Sequence, residues 1–404
     1  MTTNNTRLFK KSLLAVTITL ASSQAMAAGF QLNAQSATGL GRAFAGDAVM
    51  ADSAAIVAKN SAAMAYIKQP TLSVGAIYID SGIDVSSVSY TPMIGDTEML
   101  DDQSLDAGTL VPNIHYVHPI EGSKFTLGAT VHSNFGTDVE FDESFEADEF
   151  GGKTALSSIN VAFAVAYELS EKINLGVGLD VIYGEGEIYR QNLLNVDADG
   201  FGLGANVGAT YQVNEHNKFG ISYRYSPDIE VEGDITKGGV PADKMNVPLP
   251  DTLEFSGWHQ LNEQWAFHYS LQWVNWSEFD SLTSDSYDDS IKEYQWKDAG
   301  HVSVGGTYTM SKDIVLRAGY MYDISPTDEL TSLSIPDVNR HWLTVGGTYN
   351  FTDASSVDVG VGFIIGESQD IDENLTTIPG TSSNITADVT ADALLLGVQY
   401  QHRF

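Results

Sequence analysis

Along most of this chain, apolar and aromatic side chains recur at every second position in segments of roughly ten residues, and only a strand puts alternate side chains on one face. Ile173, Leu175, Val177, Leu179, Val181 and Tyr183 alternate with Asn174, Gly176, Gly178 and Asp180. Trp265, Phe267, Tyr269, Leu271 and Trp273 alternate with Ala266, His268, Ser270 and Gln272, and Val357 to Ile365 repeats the pattern around Asp358, Gly360 and Gly362. An apolar face backed by small and polar residues suits a wall with lipid on one side and a filled lumen on the other. Aromatic residues at the ends of the rows fit the two membrane interfaces.

The connections alternate too. Tight polar turns fall at Glu121–Lys124, Ser170–Lys172, Asn214–Lys218, Asn262–Gln264, Ser311–Asp313 and Thr352–Ser355, and between them lie longer acidic stretches near 82–107, 136–154, 189–200, 234–249, 278–292, 324–336 and 368–389. Six short turns and seven long loops predict fourteen antiparallel strands in a closed transmembrane barrel, with the short side periplasmic. The last strand carries Leu394, Leu396, Val398, Tyr400, His402 and Phe404 on one face. An alternating strand that ends on Phe is expected to be read by the outer-membrane assembly machinery. A soluble β-sandwich is the alternative for such a strand.

Arg7, Lys10 and Lys11, the apolar run Leu13–Ala21 and the small-x-small site Ala25-Met26-Ala27 predict a secretory leader over 1–27. That run is too short to span a bilayer, and no later stretch approaches 18 apolar residues, so export to the outer membrane of a Gram-negative bacterium is expected. Residues 28–66 are built mainly from Ala, Gly, Ser and Asn, too small for a core and too uncharged for a typical disordered tail. They predict a plug in the lumen, with 67–404 as the barrel; a flexible N-terminal arm is the alternative.

The formal charge is −33, with 53 acidic residues against 20 Lys and Arg, which argues against a nucleic-acid partner. Without Cys there is no disulfide, thiolate metal site or lipoprotein anchor. The Gly200-Phe-Gly202-Leu-Gly204 and Gly360-Val-Gly362 patterns lie inside antiparallel strands, where a dinucleotide fingerprint has no following helix. They read as room on the inner wall for the plug or a ligand. The acidic clusters lack calcium-loop spacing, the His residues are unpaired, and there is no GxSxG elbow, so neither cofactor, metal nor enzymatic activity is expected. Divalent bridging to lipopolysaccharide remains open for the acidic loops.

Ala28-Gly29-Phe30-Gln31-Leu32-Asn33 and Gly39-Leu40-Gly41-Arg42-Ala43 resemble the mature start of the FadL family of long-chain fatty acid transporters. The resemblance continues through Val111-Pro112-Asn113, Ser133-Asn134-Phe135-Gly136, His268-Tyr269-Ser270-Leu271, Trp276-Ser277, Lys297-Asp298-Ala299, Ser334-Ile335-Pro336-Asp337 and Val357-Asp358-Val359-Gly360-Val361. It departs at Asn60-Ser61-Ala62, where the family commonly has Asn-Pro-Ala. The lost proline frees φ and restores an N–H, implying a softer hinge.

The resemblance implies a fourteen-stranded barrel with an N-terminal hatch, gated near Phe30 and Asn60. It implies uptake of long-chain fatty acids through an apolar pocket, with sideways exit where the third strand is kinked at Gly136. Aromatic hydrocarbons are the alternative cargo, and a general porin is the competing class. The ligand carboxylate is expected at Arg190, after strand five, and Lys297, in strand ten. Each has another reading, pairing with Glu187 or Asp298, and Gly136 has the simpler role of starting a loop. The expected partners are fatty acid, membrane lipid and lipopolysaccharide, and the expected state is a monomer.

Overall fold

The computed structural model describes residues 29–191, 193–327, 330–378 and 381–404. The expected leader and Ala28 lie outside the described residues. The strands are β1 (Thr71–Thr91), β2 (Gln103–Pro119), β3 (Phe125–His132, resuming as Gly136–Glu140), β4 (Lys153–Glu168), β5 (Ile173–Arg190) and β6 (Leu194–Asn214). They continue as β7 (Asn217–Tyr225, then Ile229–Lys237), β8 (Val240–Val247, then Thr252–Gln260), β9 (Trp265–Val274) and β10 (Ala299–Thr309). The last four are β11 (Ile314–Ile324), β12 (Arg340–Asn350), β13 (Ser355–Gly366, then Gln369–Ile378) and β14 (Thr381–Arg403). Each pairs antiparallel with its neighbours, and β14 closes on β1 from Thr71 opposite Arg403 to Thr91 opposite Asn384. Fourteen strands thus form a barrel among the described residues, and no described helix is long and apolar enough to cross a membrane.

The phase read from the sequence holds in the lower wall. Leu175, Val177, Leu179 and Val181 are exposed on the outside, while Asn174 and Asp180 are buried inside. Higher along the same strand the polarity inverts: Glu187 points out and Ile182 and Ile188 point in. The inversion explains a correction, because 82–107, 189–200, 234–249 and 368–389, expected as loops, are mostly strand. Above the bilayer water covers the outer face, so acidic residues there are as compatible with a strand as apolar residues are below. Regions 278–292 and 324–336 contain little regular structure.

The segment from Gly29 to Tyr66 lies inside the barrel and is almost entirely buried. It contains a short helix α1 (Ala37–Leu40) and two 3-10 turns, Ala54–Ala58 and Ser61–Tyr66, capped by Ser36, Ser53 and Asn60. So irregular a backbone leaves donors unused within the segment, and the inner wall supplies acceptors. Gly46 N–H donates to Ser270 Oγ, Ala48 N–H to Ser256 Oγ and Ala54 N–H to Ser73 Oγ at 2.9–3.1 Å. Arg42 pairs with Asp47 (2.7 Å) and Asp52 (3.4 Å), and Arg317 on β11 also reaches Asp52 (3.5 Å).

Gly360 approaches the Ala37 carbonyl, as expected for a glycine facing the inner segment. Gly200, Gly202 and Gly204 do not serve that purpose. A Cβ at those three would meet Glu230, Pro227 and Tyr225, so they accommodate the bend where β7 is interrupted.

Candidate functional site

The decisive irregularity is in β3. Its lower half pairs with β2 as far as Val131 opposite Ile114, and its upper half, Gly136–Glu140, pairs with β4. Among the described residues no ladder pair joins β2 above Ile114 to β3, so the wall is interrupted there. Gly136 is not among the glycines with left-handed φ, so the break does not arise from unusual angles at that residue. It lies at Ser133–Phe135, whose backbone bonds inward. Leu32 N–H donates to the Asn134 carbonyl (2.7 Å), Gly136 N–H donates to the Phe30 carbonyl (2.8 Å), and Gln31 bridges Phe135. Ser158 on β4 completes the seam, its Oγ accepting from Phe135 N–H at 3.0 Å.

Above the seam is an apolar cavity with about 500 Å³ of unoccupied space, part of it open to solvent, lined by residues including Phe30, Phe135, Leu156, Ile188, Val196 and Ile229. Phe30 closes its inner end. The ring is fully buried, with centroids 4.8 Å from Trp276, 4.9 Å from Phe279 and 5.8 Å from both Phe135 and Trp296. Gly29 has φ +63°, and a Cβ there would stand 2.7 Å from the Trp276 ring, so only glycine makes this approach without strain. Its N–H donates to Asp337 Oδ2 (3.1 Å), and Asp337 in turn pairs with Arg340. Burial pushes the Asp337 carboxyl above its ordinary value, opposed chiefly by the Arg340 charge.

Arg190 is the last residue of β5, two positions beyond the cavity-lining Ile188. Its guanidinium is buried, donating to the carbonyls of Lys153 and Tyr189 and to Thr154 Oγ1, each at 2.6 Å. The ion pair with Glu187 belongs instead to Lys153, at 2.8 Å. Lys297 is exposed and precedes β10 rather than lying in it; its N–H donates to the Pro326 carbonyl. Arg190 and Lys297 therefore meet different surroundings, one enclosed and one at the surface. Asn60 caps the turn at Ser61, its Oδ1 accepting from Ala62 N–H, and its Nδ2 donates to the Ala48 carbonyl at 2.6 Å and the Ile221 carbonyl at 3.2 Å.

The whole chain from residue 18 to 404 matches the model of the outer membrane protein transport protein family (OMPP1/FadL/TodX). The chain belongs to that family. Outer membrane protein P1 of Haemophilus influenzae is 33% identical over 97% of this chain and 99% of its own length. The long-chain fatty acid transport protein of Salmonella typhi is 33% identical over 91% of this chain and 94% of its own. A crystal structure of a Pseudomonas aeruginosa FadL homologue shares the fold with a TM-score of 0.85 at 19% identity, covering 93% of this chain and all of that one. Family membership and the closed barrel place the protein in the outer membrane of a Gram-negative bacterium, as a transport protein.

Phe279 and Trp296 of the aromatic cage around Phe30, together with Arg340 and Ser158, went unread in the sequence, and Trp276 and Asp337 entered only through the family resemblance, with no role at the site. The cage left one signal, a concentration of large aromatics within an otherwise acidic outer region.

Proposed function

We infer that this protein is a channel for long-chain fatty acids, with residues 28–66 acting as the hatch. The ligand's tail occupies the apolar cavity, and its carboxylate is received at the outer end by Arg190 and Lys297. Displacement of Phe30 then opens the way to the interruption between β2 and β3, beside Gly136, and the ligand leaves sideways into lipid. The observation that carries this reading is the single seam in which Phe30 both floors the cavity and bonds to the break in β3. An apolar route that opens into lipid keeps the tail out of water throughout. Arg190 already holds three acceptors, so a carboxylate binds there by displacing some of them. The protein works as a monomer in contact with membrane lipid and lipopolysaccharide, inserted by the assembly machinery through its C-terminal strand.

Binding of fatty acids of graded chain length to the purified protein, with toluene as comparison, tests this reading. Affinity is expected to rise with chain length and to exceed that for toluene. Tighter toluene binding would make aromatic hydrocarbons the cargo, and a large ohmic conductance in planar bilayers would indicate a general porin.

A further inference from the structure

On the inner side of the Phe30–Phe135 floor, β2, β3 and β4 present a row of polar side chains to the lumen. His132 stands directly opposite Asn160 in the β3–β4 ladder, and Asn113 directly precedes Ile114, where the β2–β3 ladder ends. All three are at most 1% exposed, and His132 is the last residue before the break in β3. Asn160 follows cavity-lining Ser158 by two residues on the same face, so it lies roughly 7 Å deeper in the barrel. The inner segment crosses this row. The Ala34 carbonyl accepts from Asn113 Nδ2 (3.2 Å), and Gln35 Nε2 donates to the Ser133 carbonyl (3.2 Å) and Asn134 Oδ1 (3.1 Å).

Seven buried polar atoms of this neighbourhood nevertheless have no hydrogen-bond partner among the described residues: Asn113 Oδ1, His132 Nε2, both amide atoms of Asn160, both of Asn33, and Gln35 Oε1. His132 has the Asn134 side chain as a neighbour, yet its Nε2 makes no bond of hydrogen-bonding geometry. Its Nδ1 is already engaged by Thr130 Oγ1 at 3.0 Å. Buried polar groups are normally paired, and leaving several unpaired at one place is destabilising. Here the cluster sits at the threshold of the lateral gap.

We propose that Asn33, Asn113, His132 and Asn160 form a second head-group site, which holds the carboxyl end of the ligand by hydrogen bonds while the tail passes through the gap into lipid. The proposal rests on the fatty acid reading above and adds a determinant of selectivity to it. The amide N–H groups of the three Asn residues and the ring of His132 offer neutral donors to the carboxyl oxygens, unlike the charged capture at Arg190. A bare hydrocarbon gains nothing there. A carboxyl head without such a site would cross the apolar threshold with its hydrogen bonds unmet.

The test compares uptake of oleic acid and 1-octadecene by the full-length protein in outer-membrane vesicles. Asn160→Leu keeps the side-chain size and removes the polar atoms, so oleic acid uptake should fall at least tenfold with octadecene uptake unchanged. Asn33→Leu alters no barrel ladder and should show the same selective loss, whereas Asn160→Ser should retain most oleic acid uptake. Unchanged oleic acid uptake in both Leu variants overturns the head-group site. An equal loss of both cargoes in Asn33→Leu also overturns it, since the residue then acts through gating. Failure of the unaltered protein to carry oleic acid would overturn the transport reading itself, an outcome separable from the other two.

Discussion

The backbone N–H of Gly136 donates to the carbonyl of Phe30 over 2.8 Å, so the residue that closes the apolar cavity is tied to the residue that resumes β3 beyond its break. Floor and wall are one hydrogen-bonded unit. A displacement of Phe30 from the cavity floor would therefore also break its bond to the wall at Gly136.

A disulfide offers the direct test of that coupling. Gln31 and Phe135 are bridge partners across the seam, within the Cα separation that a disulfide spans, and the chain has no native Cys to interfere. With Gln31→Cys and Phe135→Cys oxidised, fatty acid uptake should stop and surface binding should persist. Reduction should restore uptake. Normal uptake by the oxidised protein would count against gating at this seam.

Gly319 on β11 faces the inner segment so closely that a Cβ would overlap the Arg42 carbonyl. Gly319→Val should therefore push the segment off the wall while the outward-facing ladder with β10 and β12 survives. The expected result is a folded barrel with raised conductance in planar bilayers. Conductance equal to that of the unaltered protein would mean that the segment accommodates the side chain by a local shift.

Replacing Arg190 and Lys297 together with Ala should weaken oleate binding by tenfold or more, since charge-assisted bonds contribute about 1.5–3 kcal/mol each. Fatty alcohols should lose less. Equal losses for acid and alcohol, measured by calorimetry, would show that Arg190 acts instead by holding Lys153 and Thr154 in place.

Gly136→Arg introduces a long charged side chain at a buried position where β3 resumes beside the gap. Uptake should fall sharply, with protein still present in the outer membrane and ligand still bound at the outer mouth. Uptake at the ordinary rate would place the exit elsewhere.

The sequence by itself determined the strand count and the phase of the lower wall, because lipid outside and a filled lumen inside demand opposite chemistry on alternate residues. Leu175 to Val181 and Trp265 to Trp273 leave one arrangement that buries neither charge nor backbone in lipid. Above the membrane that constraint disappears. Asn195, Asp197 and Asp199 outside and Leu194, Val196 and Ala198 inside form a strand as regular as the one below, yet in sequence 189–200 reads as an acidic loop, and only the ladder between β5 and β6 decided it. The site depended on tertiary structure for a related reason. Phe30, Phe135 and Trp276 are distant in the chain and carry no shared period, and the break in β3 is visible only as pairs that β2 does not make. Local sequence specifies which face a residue takes. Which residues meet across the lumen is set by closure of the barrel, a contact between strands that the sequence records separately.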